Sequence, residues 1–185
     1  MIGIIGAMQI EVENLKNHME NVTEEQVSGV TFTRGFIGDK EVVAAVSGVG
    51  KVFAAICAEA MILTYKVDCI INIGVAGTLC DELGVMDVAI SDKVVQHDMN
   101  TSALGDPVGL LSGINEVYLP ADEKLYTALE KVVAAKGINH KVGTIATGDL
   151  FLEKESTKET LHERFDAIRS EERRVGKECR SRWSP

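Results

Sequence analysis

The first residues of the chain place a carboxylate directly after a short apolar run. Residues 2–5 have the length and β-branched content of a buried strand, and Gly6 ends that run. Apolar residues then recur at helical spacing over residues 12–19. Glu11 therefore falls in the first turns of a helix beyond the carboxyl end of a strand, where open α/β sheets bind their ligands. Its carboxylate could act as a general base, or it could only stabilise the start of the helix through the macrodipole.

The composition indicates a globular protein with an aliphatic core. The chain has 185 residues, of which 45% are hydrophobic and only 5% aromatic, as in a buried sheet covered by helices. It contains no apolar run of about 18 residues and no charged-then-apolar leader, so we expect neither a membrane span nor secretion. Its four cysteines form no C-x-x-C pair, which favours reduced thiols in the cytoplasm.

Strand and helix signals alternate along residues 1–168. The sequence predicts strands at residues 2–5, 30–37, 41–47, 69–73 and 142–147, and either a strand pair or one long bent strand at residues 85–95. It predicts helices at residues 51–66, 122–136 and 153–165, besides the first helix. Residues 99–115 are rich in Gly, Ser and Asp and predict an ordered loop. This alternation predicts an α/β layer fold with a mixed or parallel sheet.

Glycine turns follow three of the predicted strands, at Gly6, at Gly48 and Gly50, and at Gly74 and Gly77. Neither nucleotide motif fits: the third glycine of a dinucleotide fingerprint would fall on a phenylalanine, and the P-loop glycine is missing. The turns could let backbone approach a flat ligand closely, or they could be simple strand-to-helix connections.

Two further features could carry chemistry. His97 and Asp98 follow a predicted strand, but no third metal ligand lies at useful spacing, so a hydrogen bond that anchors a loop is the favoured interpretation. Phe151 follows the predicted strand at residues 142–147 and could stack on a purine, although a core phenylalanine is more common.

The last seventeen residues differ from the rest. They read RSEERRVGKECRSRWSP and hold six of the 19 basic residues and the single Trp. The net charge of the whole chain is -9, which argues against a nucleic-acid partner. Residues 169–185 resemble a translated DNA sequencing adapter. We therefore expect the native domain to be residues 1–168, incomplete at its carboxyl end, and the remainder to be a non-native tail.

Five segments in this order carry a resemblance to a known family: IIGAMxxE at residues 4–11, SGVGK at 47–51, IINIGVAG at 70–77, HD at 97–98 and TGDxF at 147–151. Over residues 1–168 the chain resembles the bacterial 5'-methylthioadenosine/S-adenosylhomocysteine nucleosidases. The resemblance implies a nucleoside phosphorylase-like α/β fold, a three-layer sandwich with a mixed central sheet. It also implies a homodimer in the full-length form. The implied reaction is hydrolysis of the N-glycosidic bond of 5'-methylthioadenosine and S-adenosylhomocysteine to adenine and a 5-thio-substituted ribose, without metal or cofactor. These reactions serve methionine salvage and recycling in the activated methyl cycle.

The resemblance also assigns roles to residues. Glu11 matches the glutamate that activates the attacking water. The substrate-binding positions follow from the same motifs: Met8 and Val49 as apolar wall near the ribose and the 5'-thio group, Ala76 and Gly77 as backbone facing the nucleoside, Phe151 as the aromatic stacked on adenine, and Leu152 as its backbone hydrogen-bond partner. Leu104 matches the position that reaches into the partner subunit's pocket.

The chain departs from the family pattern at several points. Val75 stands where a serine is common, and Leu104 and Asp106 replace aromatics often found in the dimer loop. The family's ribose-binding Met-Glu pair and the aspartate that protonates adenine lie beyond Ile168. We therefore expect this 185-residue polypeptide to be inactive, since glycosidic cleavage needs help for the leaving group as well as for water.

Other functions remain open at this point. A phosphorylase of the same fold would need cationic or donor-rich side chains around phosphate, which residues 7–10 do not offer. A hydrolase of futalosine, AMP or another purine nucleoside is harder to exclude, because specificity residues lie in the missing region. A non-catalytic nucleoside-binding module is expected if the gene ends near Ile168.

Overall fold

The computed structural model describes residues 1–150 and 155–171, which divide into two compact units on either side of the Val75–Ala76 bond. Both units combine helices with a mixed five-stranded sheet, which confirms the predicted α/β class. The elements in chain order are β1 (Ile2–Gly6), α1 (Gln9–Asn17), β2 (Glu20–Val27), β3 (Val30–Ile37), β4 (Lys40–Val46), α2 (Lys51–Ala60), β5 (Cys69–Ile73), β6 (Gly77–Thr78), β7 (Val88–Gln96), β8 (Tyr118–Pro120), α3 (Glu123–Ala135), β9 (His140–Thr147), α4 (Glu155–Phe165) and β10 (Ala167–Glu171).

The first unit is organised around the buried strand β1. Its sheet has the order β2-β3-β4-β1-β5, and β1 pairs in parallel with both β4 and β5. Because the three strands run in parallel, their carboxyl ends, with Gly6, Val46 and Ile73 in register, meet at one edge of the sheet. The glycine-containing turns that follow β1, β4 and β5 therefore lie at that edge.

Aliphatic side chains fill both faces of this sheet, as the low aromatic content predicts. On one face Val43, Ala45 and Met61 are fully buried, and on the other Val12, a residue of α1, is fully buried against the sheet. The predicted helix over residues 51–66 is α2 followed by a short π-helix, Met61–Tyr65, so the helical segment was predicted correctly but its change of winding was not.

Strand β2 was missed by the sequence analysis. It pairs antiparallel with β3 at the edge of the sheet, and nearly every one of its residues is exposed. A strand without a buried face has no apolar alternation to reveal it. Its glutamates also suit an edge, because charged side chains discourage pairing with another chain.

The second unit contains the sheet β6-β10-β9-β7-β8, in which β7 pairs in parallel with β9, and β9 with β10. The predicted strand over residues 85–95 is the single strand β7, and the predicted loop over residues 99–115 contains a short 3-10 helix, Ser102–Leu104. Asp122 caps α3 by accepting a hydrogen bond from the Leu125 amide at 3.0 Å.

Strand β10 extends past the expected end of the native domain at Ile168. Arg169 and Ser170 are buried, and the Arg169 guanidinium donates to the carbonyls of Ala76 (3.2 Å) and Gly84 (3.0 Å). Burial lowers the pKa of Arg169. The first residues of the expected tail are thus part of the sheet, and the origin of residues 169–185 stays a prediction.

Candidate active site

Glu11 is held at the start of α1 by the backbone of its own turn. Met8, the residue before the helix, has extended backbone (φ -124°, ψ 153°), and Glu11 is the third helical residue. The Met8 amide donates to Glu11 Oε2 at 2.8 Å, the glutamate half of a capping box. This contact alone would support the structural interpretation of Glu11, as a residue that stabilises the helix start.

The second carboxylate oxygen is engaged from another part of the chain. The Val75 amide donates to Glu11 Oε1 at 3.2 Å, across 64 residues of sequence. A β-carbon on Gly74 would lie only 3.2 Å from the same oxygen, so the glycine lets the backbone pass close to the carboxylate. Because β1 and β5 are parallel neighbours, the turn after β5 meets the start of α1 at this edge of the sheet. Helix capping does not account for this second contact.

This arrangement leaves the carboxylate oriented and still able to accept further hydrogen bonds. An ionised carboxylate has about four acceptor sites, and the two amides occupy two of them. Glu11 is partly buried, so one side of it can contact solvent or a ligand. A fixed, partly buried carboxylate with spare acceptor sites can take a proton from a water molecule beside it.

The turn after β4 lies at the same edge of the first unit. The Ser47 amide donates to the Gly6 carbonyl at 2.9 Å, which ties this turn to the end of β1. Gly48 (φ +89°) and Gly50 (φ +103°) have left-handed backbone, so the close turn requires glycine there. Between them Val49 is half exposed, so its side chain is available at this edge.

In the second unit, Ala76 and Gly77 lead into the short strand β6. Gly77 pairs with Ser170, and a β-carbon on Gly77 would lie 3.4 Å from Ser170 Oγ. Ala76 and Gly77 are both partly exposed.

His97 and Asp98 follow β7 and anchor the loop after β9. The His97 amide donates to the Thr147 carbonyl at 3.0 Å, and the Asp149 amide donates to Asp98 Oδ2 at 2.7 Å. His97 is buried, and a β-carbon on Gly148 would lie 2.4 Å from its Nε2 atom. The predicted anchoring hydrogen bond is confirmed for Asp98.

The remaining predicted positions fall into two groups. Leu104 is 83% exposed at the end of its 3-10 helix, and nearby Asp106 accepts a hydrogen bond from Thr101 Oγ1 at 2.8 Å. Phe151 and Leu152 lie outside the described residues.

Within residues 1–150 and 155–171, no group of three or more His, Cys, Asp or Glu side chains is placed to hold a metal ion. Over the same part of the chain, no helix is both long and apolar enough to cross a membrane.

Comparison with known proteins identifies the family. The phosphorylase superfamily matches residues 1–171. The chain is 37% identical over 182 residues to a 5'-methylthioadenosine/S-adenosylhomocysteine nucleosidase of Staphylococcus carnosus, a match that covers 97% of this chain and 79% of that protein. This chain belongs to the 5'-methylthioadenosine/S-adenosylhomocysteine nucleosidase family.

Solved structures agree with this nucleosidase fold. A Helicobacter pylori nucleosidase mutant with 5'-methylthioadenosine in its active site matches with a TM-score of 0.87 at 31% identity, over 91% of this chain and 73% of that one. The futalosine hydrolase of Helicobacter pylori matches with the same TM-score at 32% identity, over 91% of this chain and 72% of that one. The nucleoside phosphorylase-like fold predicted from the sequence is confirmed.

Sequence reasoning found Glu11 but missed the groups that hold it. The amides of Met8 and Val75 carry no side-chain signal, and only Gly74 hinted at a close approach. The sequence analysis included Gly148 only as a member of the TGDxF motif and did not predict that the absence of a β-carbon there makes room for the His97 side chain.

Proposed function

We propose that the nucleosidase domain represented by residues 1–168 hydrolyses the N-glycosidic bond of 5'-methylthioadenosine and S-adenosylhomocysteine, releasing adenine and a 5-thio-substituted ribose. The observation that carries the proposal is the Glu11 carboxylate, held from two directions by the amides of Met8 and Val75. The relatives of this chain that are named as nucleosidases of these two substrates support the substrate assignment.

Glu11 is the residue to which we assign the activation of water. As the bond between the ribose anomeric carbon and adenine N9 breaks, its electron pair leaves with the base and positive charge develops on the sugar. The base takes up one proton to leave as neutral adenine, and the family resemblance assigns that proton transfer to an aspartate beyond Ile168. A water molecule beside Glu11 gives up a proton to the carboxylate as its oxygen bonds to the anomeric carbon. A carboxylate also stabilises the developing positive charge, which a neutral base would not do.

Hydrolysis fits this turn better than phosphorolysis. Residues 7–10, Ala-Met-Gln-Ile, include no cationic side chain, and the Glu11 carboxylate would repel a phosphate anion. Water is therefore the nucleophile that the turn after β1 accommodates.

The other substrate contacts are assigned by the same proposal. Met8 and Val49 form apolar wall around the ribose and the 5'-thio group, and Val49 is available for this because it is half exposed. Ala76 and Gly77 present backbone to the nucleoside. Phe151 and Leu152 bind adenine.

The proposal includes a homodimer. Helix α2 and the turn before it expose large apolar side chains: Val49 (51% exposed), Val52 (68%), Phe53 (57%) and Ile56 (40%). An apolar surface of this kind is typical of a protein interface. The exposed Leu104 supports the idea that this residue enters the partner's pocket. We expect light scattering to show a dimer, and Phe53→Asp to shift the protein towards monomer.

A cytoplasmic location completes the proposal. Cys57, Cys69 and Cys80 are all free thiols, which suits a reducing compartment.

The test is adenine release followed by chromatography. We would assay the 185-residue chain and a fusion in which residues 1–168 continue into the carboxyl-terminal segment of the Staphylococcus carnosus relative. With 5'-methylthioadenosine, the fusion should release adenine, whereas the 185-residue chain, expected above to be inactive, should release none. Glu11→Gln in the fusion should slow adenine release by about 10²–10⁴-fold. Futalosine serves as the competing substrate, and faster cleavage of futalosine would favour that alternative. An active fusion whose rate is unchanged by Glu11→Gln would refute the role of Glu11.

A further inference from the structure

The loop after β7 is closed at its base by a backbone hydrogen bond. The Gly109 amide donates to the Met99 carbonyl at 2.7 Å, so the residues between them form a short closed loop. Gly109 is buried, and a β-carbon there would lie 3.1 Å from Val95 Cγ2 and 3.2 Å from Val117 Cγ1. The base of the loop is therefore packed against the second unit, and the contacts within the loop determine how its tip is presented.

A hydrogen bond between two side chains spans the tip of this loop. Thr101 Oγ1 donates to Asp106 Oδ2 at 2.8 Å, and both residues are half-buried. Inside this bridge the Leu104 amide donates to the Thr101 carbonyl at 2.8 Å. Gly105 has left-handed backbone (φ +95°), which turns the chain directly after Leu104. We call residues 101–106, bridged by the bond between Thr101 and Asp106, the clasped turn.

The clasped turn holds an apolar side chain away from the protein. Leu104 lies at its tip and is 83% exposed. Fixing the backbone of a turn costs conformational entropy, which burial of apolar surface usually offsets. Here the hydrogen bonds of the turn order a leucine that buries little of its own surface. Such a leucine is suited to insertion into another molecule, because the turn that carries it is already ordered before binding.

A second copy of the chain offers a complementary surface. Val49 and the first turns of α2 expose apolar side chains, among them Val52 (68%) and Phe53 (57%). In a symmetric dimer each copy carries both surfaces, so a leucine and an apolar surface on each protomer can form two equal contacts. The occupant that the clasped turn fits is therefore a second copy of this chain.

We propose that Asp106 and Thr101 are positioning residues for the dimer contact: their hydrogen bond holds the turn in the form that presents Leu104 to the second copy. The inference rests on the proposed function, in which Leu104 enters the pocket of the partner. The family resemblance treats Asp106 only as the loss of an aromatic, whereas in the structure its carboxylate has a partner within the same turn. Asp106 is not assigned to the substrate, so its effect should pass through Leu104.

Sedimentation equilibrium of the 185-residue chain measures the dissociation constant of the dimer. Loss of one hydrogen bond of this kind should lower the population of the clasped turn about tenfold, and a symmetric dimer contains two such turns. The dissociation constant should therefore rise about 10–100-fold in Asp106→Ala. Thr101→Val keeps the shape of threonine without its hydroxyl and should have the same effect. Asp106→Asn keeps an acceptor oxygen for that hydroxyl and should retain most of the affinity.

A double-mutant cycle separates positioning from a general loss of stability. If Asp106 acts through Leu104, Asp106→Ala should weaken the dimer by less than about twofold when Leu104 is already replaced by alanine. Equal weakening by Asp106→Ala with and without the leucine would overturn the proposal, because the carboxylate would then act independently of Leu104.

Asp87→Ala is the matched control. Asp87 also accepts a hydrogen bond within a loop, from the Gly84 amide at 2.6 Å, but it precedes β7, whereas the clasped turn follows that strand. Its loss should lower stability and leave the dissociation constant unchanged. A rise as large as that in Asp106→Ala would also overturn the proposal, because the dimer would then respond to stability alone.

Hydrogen exchange of the Leu104 amide tests the clasp without a partner. In a sample dilute enough to be monomeric, exchange should be markedly faster in Asp106→Ala than in the wild type. If the wild type forms no dimer at any concentration, the positioning role falls together with the proposed homodimer. Unchanged exchange in Asp106→Ala, or an unchanged dissociation constant beside a wild type that dimerises, would refute the positioning role and leave the proposed hydrolysis and homodimer intact.

Discussion

Replacing Gly6 with alanine probes the packing that places Glu11. Gly6 ends β1, and a β-carbon there would lie 2.4 Å from Val12 Cγ2 and 3.3 Å from Glu11 Cβ. Val12 is fully buried, so it cannot move into solvent to relieve the overlap. The φ of Gly6 is not in the left-handed region, so the expected cost comes from packing and not from backbone strain.

The magnitude follows from two opposing terms. Overpacking a well-filled core costs about 1–3 kcal/mol. Alanine also reduces the freedom of the unfolded chain relative to glycine, which returns about 0.4–1 kcal/mol. The free energy of unfolding should therefore fall by about 1–2 kcal/mol, and with a typical urea m-value of about 2 kcal/mol/M the midpoint should fall by about 0.5–1 M.

Gly74→Ala is the matched control in the same unit. Gly74 follows β5, and the atoms nearest to its added β-carbon would be those of the Glu11 carboxylate, with Oε1 at 3.2 Å. That contact needs a movement of a few tenths of an ångström, so stability should change by less than about 0.5 kcal/mol. Urea unfolding followed by circular dichroism compares the two. A Gly6→Ala midpoint equal to that of the wild type, or an equal loss in Gly74→Ala, would refute this account of the turn.

Three further predictions concern stability and reactivity. Asp122→Ala should lower the free energy of unfolding by about 1 kcal/mol in urea titrations, because the amide at the start of α3 loses its cap, and an unchanged midpoint would show that water replaces it. The hydrogen bond from Lys141 lowers the pKa of Glu82 from 4.5 to about 2. The stability that ionised Glu82 contributes is therefore present above pH 4.5 and is lost as the pH falls towards 2. Glu82→Gln should flatten the fall in melting temperature over that range, and a curve parallel to that of the wild type would contradict this. Burial raises the pKa of the Cys57 thiol to about 11. Iodoacetamide at pH 8 should therefore leave Cys57 unmodified in the folded protein and label it in urea, which peptide mass spectrometry would show. Rapid labelling of the folded form would contradict the burial of this thiol.

The sequence predicted those elements whose burial leaves a pattern. Apolar runs with a polar boundary marked β1, β4 and β5 almost to the residue. Strand β2 escaped because both of its faces are exposed, and β6 and β8 escaped because two or three residues are too few for any periodicity. Their pairing is decided by tertiary context, which local sequence does not encode.

The candidate site was predictable only in its side chains. The position of Glu11 after β1 indicated its importance, but its contact with the Val75 amide depends on β5 lying beside β1 in parallel register. No local pattern specifies which two strands become neighbours. The Asp98 contact with the Asp149 amide is similar, because it depends on the pairing of β7 with β9.

The most direct test of the central claim is the rate of adenine release from 5'-methylthioadenosine by the fusion described above, measured for Glu11 and for Glu11→Gln under single-turnover conditions. Glutamine keeps the shape of the side chain but only one acceptor oxygen, so it retains the hydrogen bond from one of the two amides, Met8 or Val75, and not both. It cannot take a proton from water. If Glu11 activates the attacking water, the rate should fall by about 10²–10⁴-fold while substrate binding stays nearly unchanged. An unchanged rate would show that the role of Glu11 is only structural, and the proposed mechanism would be wrong.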